Sequence, residues 1–223
     1  MSSRKIIWEP SAERKNSSSM TLFMKWLKDE RGLEFADFQE LWNWSVNDLE
    51  AFWESIWDYF ELTSSTPFSK VLDEKKMPGA LWFKGANVNI VHEIFKNLEE
   101  KKDKIAVSFR SETIGDGVLT WDELISKTNS LVIKLKELGV QKGDRVVAIL
   151  PNTPHSLVAF CATAYIGAIW SLCAPDMGET AILDRFKQIK PKVLICQDSY
   201  IYSGKFINKV NSLKNIIKNL TSL

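Results

Sequence analysis

The chain has 223 residues, of which 45% are hydrophobic and 26% are charged, a balance that is ordinary for a folded protein and argues against disorder. Its 29 lysine and arginine residues nearly equal its 28 aspartate and glutamate residues, which leaves a formal net charge of +1. No field of one sign therefore attracts nucleic acid or an anionic membrane surface, and neither partner is expected.

The first 85 residues predict a helical extension that is rich in tryptophan. Seven of the nine tryptophans of the chain lie in this stretch. Ser45 and Asp48 have the chemistry of a helix N-cap, since a short polar side chain can accept a hydrogen bond from a first-turn amide. Apolar residues follow at three- and four-residue spacing: Leu49, Phe52, Trp53, Ile56 and Phe60. This spacing predicts an amphipathic helix whose aromatic face packs against a neighbouring surface.

Residues 86–223 begin with a predicted hairpin and a long helix. Ile105–Phe109 alternates as a strand does, Gly115–Gly117 has the composition of a turn, and Val118–Trp121 can pair back on the first strand. Thr120 and Glu123 have the spacing of a capping box, in which each side chain accepts a hydrogen bond from the backbone amide of the other residue. A helix is therefore expected to begin here.

The next part of the chain repeats a unit in which a strand alternates with a helix. The predicted strands are Arg145–Leu150, Ala168–Cys173 and Val193–Cys196, and the predicted helices between them are Pro154–Ile166 and Glu179–Ile189. Strands and helices that alternate with short connections predict a parallel sheet with right-handed crossovers. The fold class is therefore expected to be α/β.

One stretch admits a second interpretation. Residues Leu157–Ala174 carry no charge over a length close to the minimum that crosses a bilayer. Gly167, however, falls where a helix from Pro154 would end in a left-handed residue, and neither flank carries the lysine and arginine cluster of a membrane anchor. We predict a helix followed by a short strand, and a membrane-spanning helix is the alternative.

The loops that follow the predicted strands are the places to look for a ligand, because parallel sheets bind ligands at the carboxyl ends of their strands. These loops are residues 151–153, 174–178 and 197–205. They contain no Gly-x-Gly-x-x-Gly sequence, and Gly204-Lys205 lacks the earlier glycine of a Walker-type loop. His92 and His155 form no metal-binding pattern with the scattered cysteines. The residues alone predict a scaffold without a catalytic residue or a metal site.

The cysteines bear on the compartment in which the protein works. Cys161, Cys173 and Cys196 are odd in number, lie in apolar runs and form no Cys-x-x-Cys pair. We expect buried free thiols in a reducing compartment. The amino terminus has no apolar core of signal-peptide length, so a cytoplasmic protein is expected.

Several segments resemble the adenylate-forming acyl-CoA ligase superfamily: Ile7–Pro10, Leu41–Val46, Phe52–Trp57, Leu81–Asn89, Gly143–Asn152 and Ile166–Ser171. The block Ala174–Cys196, together with Tyr200–Lys205, resembles the acetoacetyl-CoA synthetase branch. Two departures from the family pattern are Ile90–Glu93, where Tyr-Ala-Glu-Asn is usual, and Met177, where a phenylalanine is typical.

The resemblance implies an incomplete doubly wound, mainly parallel sheet of the adenylate-forming ligase type in residues 86–223. It also implies that residues 1–85 are the tryptophan-rich helical N-terminal extension of acetyl- and acetoacetyl-CoA synthetases. Such ligases join acetoacetate to CoA through an acyl adenylate, using ATP and Mg²⁺. The chain would be an N-terminal fragment, because it reaches Leu223 before the glycine-rich loop and the catalytic lysine of the family, and we expect it to be inactive alone.

By the same resemblance, Ala174, Pro175 and Asp176 are expected to form a wall near the adenine of CoA, and Lys205 to contact its 3′-phosphate. No cofactor is expected to bind tightly to this fragment. Asp176 has a structural alternative, because it can equally cap the following helix. Arg185 is expected to have a structural role, as an anchor to a loop carbonyl or an acid.

Two other functions remain open at this point. One is a non-catalytic binding or interaction protein that keeps the ligase fold. The other is a fragment of an acetate– or propionate–CoA ligase, because the residues that line the acyl pocket of the family normally lie beyond Leu223. The sequence does not predict an oligomeric state.

Overall fold

The computed structural model describes residues 7–223. The chain forms two compact units, with the boundary between Val88 and Asn89. The helices of the first unit are α1 (Ala12–Asn16), α2 (Ser19–Arg31), α3 (Phe38–Asn47) and α4 (Leu49–Tyr59). Two short strands follow, β1 (Lys70–Leu72) and β2 (Trp82–Lys84), and they pair in antiparallel fashion.

Aromatic rings build the core of the first unit. Phe23 and Leu27 of α2 are buried with Leu41 of α3. Phe52 of α4 packs edge-on against Trp44, with 5.6 Å between the ring centroids. The tryptophan-rich helical N-terminal region predicted from the sequence is therefore confirmed.

The predicted start of α4 is half right. Asp48 is its N-cap, and its Oδ1 atom accepts a hydrogen bond from the Ala51 amide at 3.2 Å. Ser45 is no part of this cap, because it lies inside α3 and donates its hydroxyl to the Trp42 carbonyl at 2.8 Å. One residue separates the two helices, so the chain leaves no room for a longer capping segment.

The second unit begins with α5 (Ile90–Ile94), the hairpin of β3 (Ile105–Ser111) and β4 (Gly115–Thr120), and α6 (Trp121–Glu137). The alternating part follows as β5 (Arg145–Ile149), α7 (Pro154–Tyr165), β6 (Ile169–Cys173), α8 (Glu179–Ile189) and β7 (Val193–Cys196). A second hairpin of β8 (Ser199–Tyr202) and β9 (Lys205–Asn208) leads to α9 (Val210–Asn219).

The capping box is confirmed, whereas the position of the first hairpin turn was predicted wrongly. Thr120 and Glu123 exchange their two hydrogen bonds at 3.2 and 2.8 Å. The turn lies at residues 112–114, and the predicted turn glycines belong to β4. Gly117 pairs with Phe109, whose ring lies so close that a Cβ atom on the glycine would be 2.7 Å from Cζ. This glycine makes room for a ring and does not turn the chain.

The central sheet has the order β6-β5-β7, and both pairs are parallel. Val147 of β5 faces α8 and α9, where it packs in one buried cluster with Phe186 and Ile216. Its neighbour Val146 points to the opposite face and packs with Ala162 of α7 and with α6. Helices thus cover both faces of the sheet, and the doubly wound, mainly parallel fold is confirmed.

The uncharged stretch forms a helix and then a strand, as predicted. Helix α7 ends at Tyr165, and Gly167 has the left-handed φ of +79° that ends it. The Ala168 amide donates to the Thr163 carbonyl at 3.1 Å before β6 begins. A single membrane-crossing helix through this stretch is therefore wrong. No helix in residues 7–223 combines the length and apolar character needed to span a membrane.

Candidate functional site

The carboxyl ends of the three parallel strands lie side by side. Ile149 at the end of β5 is in register with Cys173 of β6 and with Cys196 of β7. The segments at residues 150–153, 174–178 and 197–205 therefore leave one edge of the sheet together. This is the edge at which α/β folds bind their ligands.

The loop after β6 carries three of the four predicted site residues. Ala174 and Asp176 are exposed, whereas Pro175 is buried. The Met177 amide donates to the Ala174 carbonyl at 3.2 Å and closes the loop as a tight turn. The N-cap of α8 is Gly178, so the alternative in which Asp176 caps this helix is wrong. Its carboxylate is left at the surface of the loop.

Arg185 of α8 reaches back to this loop and contacts sulfur atoms. Its Nη1 atom lies 3.9 Å from Sδ of Met177. Burial raises the pKa of the Cys173 thiol, and the nearby Arg185 guanidinium partly opposes that rise. The expected anchor of Arg185, a loop carbonyl or an acid, is therefore not the contact observed. This arginine supports the loop from the helix side.

The Asp176 carboxylate, in the loop after β6, acts electrostatically on Tyr200, in the hairpin after β7. Tyr200 is the second residue of β8, in the hairpin after β7, and is buried. Burial raises the pKa of its phenol, and the Asp176 carboxylate and the Tyr202 phenol raise it further. A nearby negative charge disfavours ionisation of a phenol, which accounts for the direction of this effect. The charge of the loop after β6 thus influences the hairpin after β7.

Lys205, the fourth predicted site residue, begins strand β9. It pairs with Tyr202 across a turn of only two residues, Ser203 and Gly204. The side chain is exposed, and within residues 7–223 no carboxylate forms an ion pair with it. A cation without an acidic partner at the rim of a strand-end loop suits an anionic ligand group.

The first hairpin of the unit supplies two residues that the sequence did not single out. The turn between β3 and β4 places Glu112 and Thr113 against the second hairpin. Glu112 accepts hydrogen bonds from the amides of Ser203 and Gly204, at 3.2 and 2.7 Å. The Thr113 hydroxyl accepts from the Ile201 amide at 3.1 Å. No motif marks this contact, because Glu112 and Gly204 are 92 positions apart in the chain.

The loop after β5 is held by its own backbone and side chains. Ser156 donates its hydroxyl to the Pro151 carbonyl at 2.7 Å, and the Thr153 hydroxyl lies 3.5 Å from Nδ1 of His155. His155 is exposed, as is His92, whose ring packs edge-on against Tyr165. Within the described part of the chain, no group of three or more metal-binding side chains is found.

The edge as a whole offers groups that recognise a polar ligand. These groups are the Lys205 cation, the Asp176 carboxylate and the buried phenol of Tyr200.

Two family models match this chain. One, described as AMP-binding enzyme, matches residues 94–222, and the other, described as acetyl-coenzyme A synthetase N-terminus, matches residues 38–94. The first match covers more than half of the chain and includes the whole sheet and its strand-end loops.

Known proteins match over almost the entire chain. The acetoacetyl-coenzyme A synthetase of Rhizobium meliloti (strain 1021) is 34% identical over 220 residues, which are 99% of this chain and 33% of that protein. The acetoacetyl-CoA synthetase of Danio rerio is 33% identical over 222 residues, which are 98% of this chain and 32% of that protein.

A solved structure shows the same likeness in three dimensions. The acetoacetyl-CoA synthetase from Streptomyces lividans matches with a TM-score of 0.94 at 36% identity, and the match covers 99% of this chain and 34% of that one. This chain spans about a third of the length of the relatives it matches. The resemblance read from the block Ala174–Cys196 is confirmed.

Proposed function

Because this chain belongs to the AMP-binding enzyme family, we propose that it is the amino-terminal part of an acetoacetate–CoA ligase and that it helps to bind CoA. The observation that carries this proposal is the match of nearly the whole chain, in sequence and in fold, to about one third of acetoacetyl-CoA synthetases. The reaction of the complete enzyme would convert acetoacetate, CoA and ATP into acetoacetyl-CoA, AMP and diphosphate.

The residues at the carboxyl edge of the sheet fit the nucleotide end of CoA. Lys205 is an exposed cation without an acidic partner in the described residues, which suits the 3′-phosphate. Ala174 and Asp176 are exposed above the buried Pro175, and together they offer a wall for the adenine with one hydrogen-bond acceptor. CoA supplies the thiol that takes up the acyl group.

Other parts of the reaction are not assigned to this chain. ATP and Mg²⁺ would act in the activation step, but residues 7–223 hold no cluster of metal-binding side chains, and the sequence has no Walker-type loop. We therefore propose a binding role for the described loops and assign no catalytic residue. We also propose a cytoplasmic location, because Cys161 and Cys173 are buried free thiols that suit a reducing compartment.

The experiment compares CoA with dephospho-CoA, which lacks only the 3′-phosphate. Each ligand is titrated into the chain and followed by the NMR shifts of its backbone amides. We expect weak binding with the largest shifts at the amides of Ala174, Asp176 and residues 200–205, and we expect CoA to bind more tightly than dephospho-CoA. In Lys205→Ala, the preference for CoA should fall about three- to tenfold, the size of one solvent-exposed charge contact.

A matched control separates this contact from a general loss of positive charge. Lys214 lies on α9, is also exposed, and is not part of any strand-end loop. Lys214→Ala should keep the preference of the unmodified chain. Equal binding of the two ligands, or shifts that avoid these loops, would count against the proposed site.

A further inference from the structure

The two hairpins of the second unit are joined at their turns by one side chain. The carboxylate of Glu112, between β3 and β4, uses both oxygens: Oε1 accepts from the Ser203 amide at 3.2 Å, and Oε2 accepts from the Gly204 amide at 2.7 Å. The Thr113 hydroxyl adds a bond from the Ile201 amide at 3.1 Å. Three hydrogen bonds therefore hold the second hairpin against the first.

The turn that Glu112 contacts has an unusual backbone. Ser203 and Gly204 have φ values of +50° and +71°, as a two-residue turn of this kind requires. Glycine adopts such a φ freely, whereas serine does so only at a cost in free energy. Successive amides in a turn form a concave site for an anion, and here a carboxylate of the same chain fills it. The bonds to the charged group are stronger than bonds between neutral partners, so they stabilise this backbone.

The residue that follows this turn is Lys205. Because it pairs with Tyr202 directly across the turn, its backbone position depends on the conformation of Ser203 and Gly204. The two amides are already bonded to Glu112, so they are not free to bind a phosphate. The lysine side chain is then the group that the hairpin tip offers to an anion.

We propose that Glu112 is a positioning residue for CoA: it fixes the hairpin tip so that Lys205 meets the 3′-phosphate. This inference rests on the proposed function. Glu112 does not touch the ligand and acts through the Ser203–Gly204 turn. Its own negative charge would by itself disfavour a phosphate, and the positioning effect outweighs that repulsion.

The test uses Glu112→Ala and Glu112→Gln in the same chain. The first removes both acceptors, and the second keeps one acceptor without the charge. Asp116→Asn is the control, because it also removes a negative charge from the first hairpin. The Asp116 carboxylate pairs with Arg110, at 3.0 Å, and not with the second hairpin. Two quantities are measured: the ratio of CoA to dephospho-CoA affinity, and hydrogen exchange at the amides of Ser203 and Gly204 without ligand.

We expect Glu112→Ala to speed exchange at both amides and to lower the affinity ratio about two- to fivefold, in the same direction as Lys205→Ala. For both quantities, Glu112→Gln should give values between those of Glu112→Ala and those of the unmodified chain. Asp116→Asn should change neither quantity. The affinity for dephospho-CoA should be the same in all three variants as in the unmodified chain. If Glu112 had a merely structural role, its replacement would weaken the binding of CoA and of dephospho-CoA alike.

The outcomes separate this inference from the proposed function. If the unmodified chain does not prefer CoA, the proposed function fails and the role of Glu112 fails with it. If Lys205→Ala loses the preference but Glu112→Ala keeps or increases it, the positioning role alone is overturned.

Discussion

The ammonium group of Lys192 lies 3.0 Å from Oδ2 of Asp144 and links the residues that precede β7 and β5. The same carboxylate oxygen accepts a hydrogen bond from the Gln141 amide at 2.9 Å. The Lys192 side chain also donates to the Gly139 carbonyl. These contacts join the connection between α6 and β5 to the start of β7, which pairs with β5 in the sheet.

Replacement of Asp144 should destabilise the second unit in a pH-dependent manner. The Gln141 amide and then the Lys192 ammonium hold the pKa of this carboxyl below its usual 3.8. A lowered pKa in the folded state contributes stability that is fully present above the usual value and is lost as the pH falls through the folded pKa. We expect Asp144→Asn to lower the urea midpoint at neutral pH and the difference to shrink below about pH 4.

The control for this measurement is an exposed ion pair. Asp116 pairs with Arg110 at 3.0 Å, and both side chains are largely exposed. Such pairs contribute little, so Asp116→Asn should shift the midpoint only slightly at any pH. If the destabilisation by Asp144→Asn grew as the pH fell, it would contradict the conclusion that the fold lowers the pKa of Asp144.

Much of the second unit was predictable because its signals are local. Helix α8 (Glu179–Ile189) and strand β7 (Val193–Cys196) have the bounds expected from the sequence. Gly178 precedes the helix, and the Lys190–Pro191 pair separates it from the strand. The spacing of the apolar residues changes from a helical period to a strand period between Ile189 and Val193, and a window of a few residues is enough to detect this change.

The errors arose where a residue serves a distant neighbour. Gly117 has turn chemistry, yet it lies in β4 because the Phe109 ring covers it. Asp176 has the chemistry of a cap, yet its charge acts on Tyr200, which is 24 positions further along the chain. The contact of Glu112 with Gly204 has no local signal at all. Such pairings depend on how the hairpins and loops pack, and a single sequence does not encode that as a pattern.

Truncation of Phe186 should strongly destabilise the second unit. This residue of α8 is fully buried in the cluster that includes Val147 and Ile216. Removing a buried phenylalanine loses apolar burial and leaves a cavity, so Phe186→Ala should cost about 3–5 kcal/mol in urea unfolding. Phe206 is 68% exposed, and Phe206→Ala should change stability by less than about 0.5 kcal/mol. Similar losses in the two variants would mean that this cluster is not the core.

A side chain at Gly167 should weaken the junction between α7 and β6. The φ of +79° lies in the left-handed region, and a Cβ atom there would lie 3.1 Å from Cγ of Lys142. The lysine can move, so the backbone cost dominates, and Gly167→Ala should destabilise by about 1–2 kcal/mol. Gly178 has a φ of −67° and open space around it, so Gly178→Ala should cost less than about 1 kcal/mol. Equal effects would show that the conformation at Gly167 is not required.

The three thiols should differ in reactivity, which corrects the expectation that all are buried. Cys161 and Cys173 are buried, but Cys196 at the end of β7 is exposed. Burial raises the pKa of the Cys161 thiol to about 11, so this thiol is almost entirely protonated near neutral pH. With a disulfide reagent at a pH of about 8, the fast phase should come from Cys196. Cys196→Ser should abolish that phase, and Cys161 should react only when the unit unfolds.

The reactivity of Cys196 should also depend on Asp198. Partial burial of the sulfur raises the pKa of the Cys196 thiol, and the Asp198 carboxylate raises it further by disfavouring a second negative charge. Asp198→Asn should therefore lower that pKa and speed labelling at fixed pH, because a larger fraction of the thiol is then ionised. Asp122→Asn, on α6, should leave the rate unchanged. The gain from Asp198→Asn should disappear at a pH high enough to ionise the thiol in both proteins, because the two thiolate fractions are then equal. A rate difference that persists there would assign the effect to access of the reagent and not to charge.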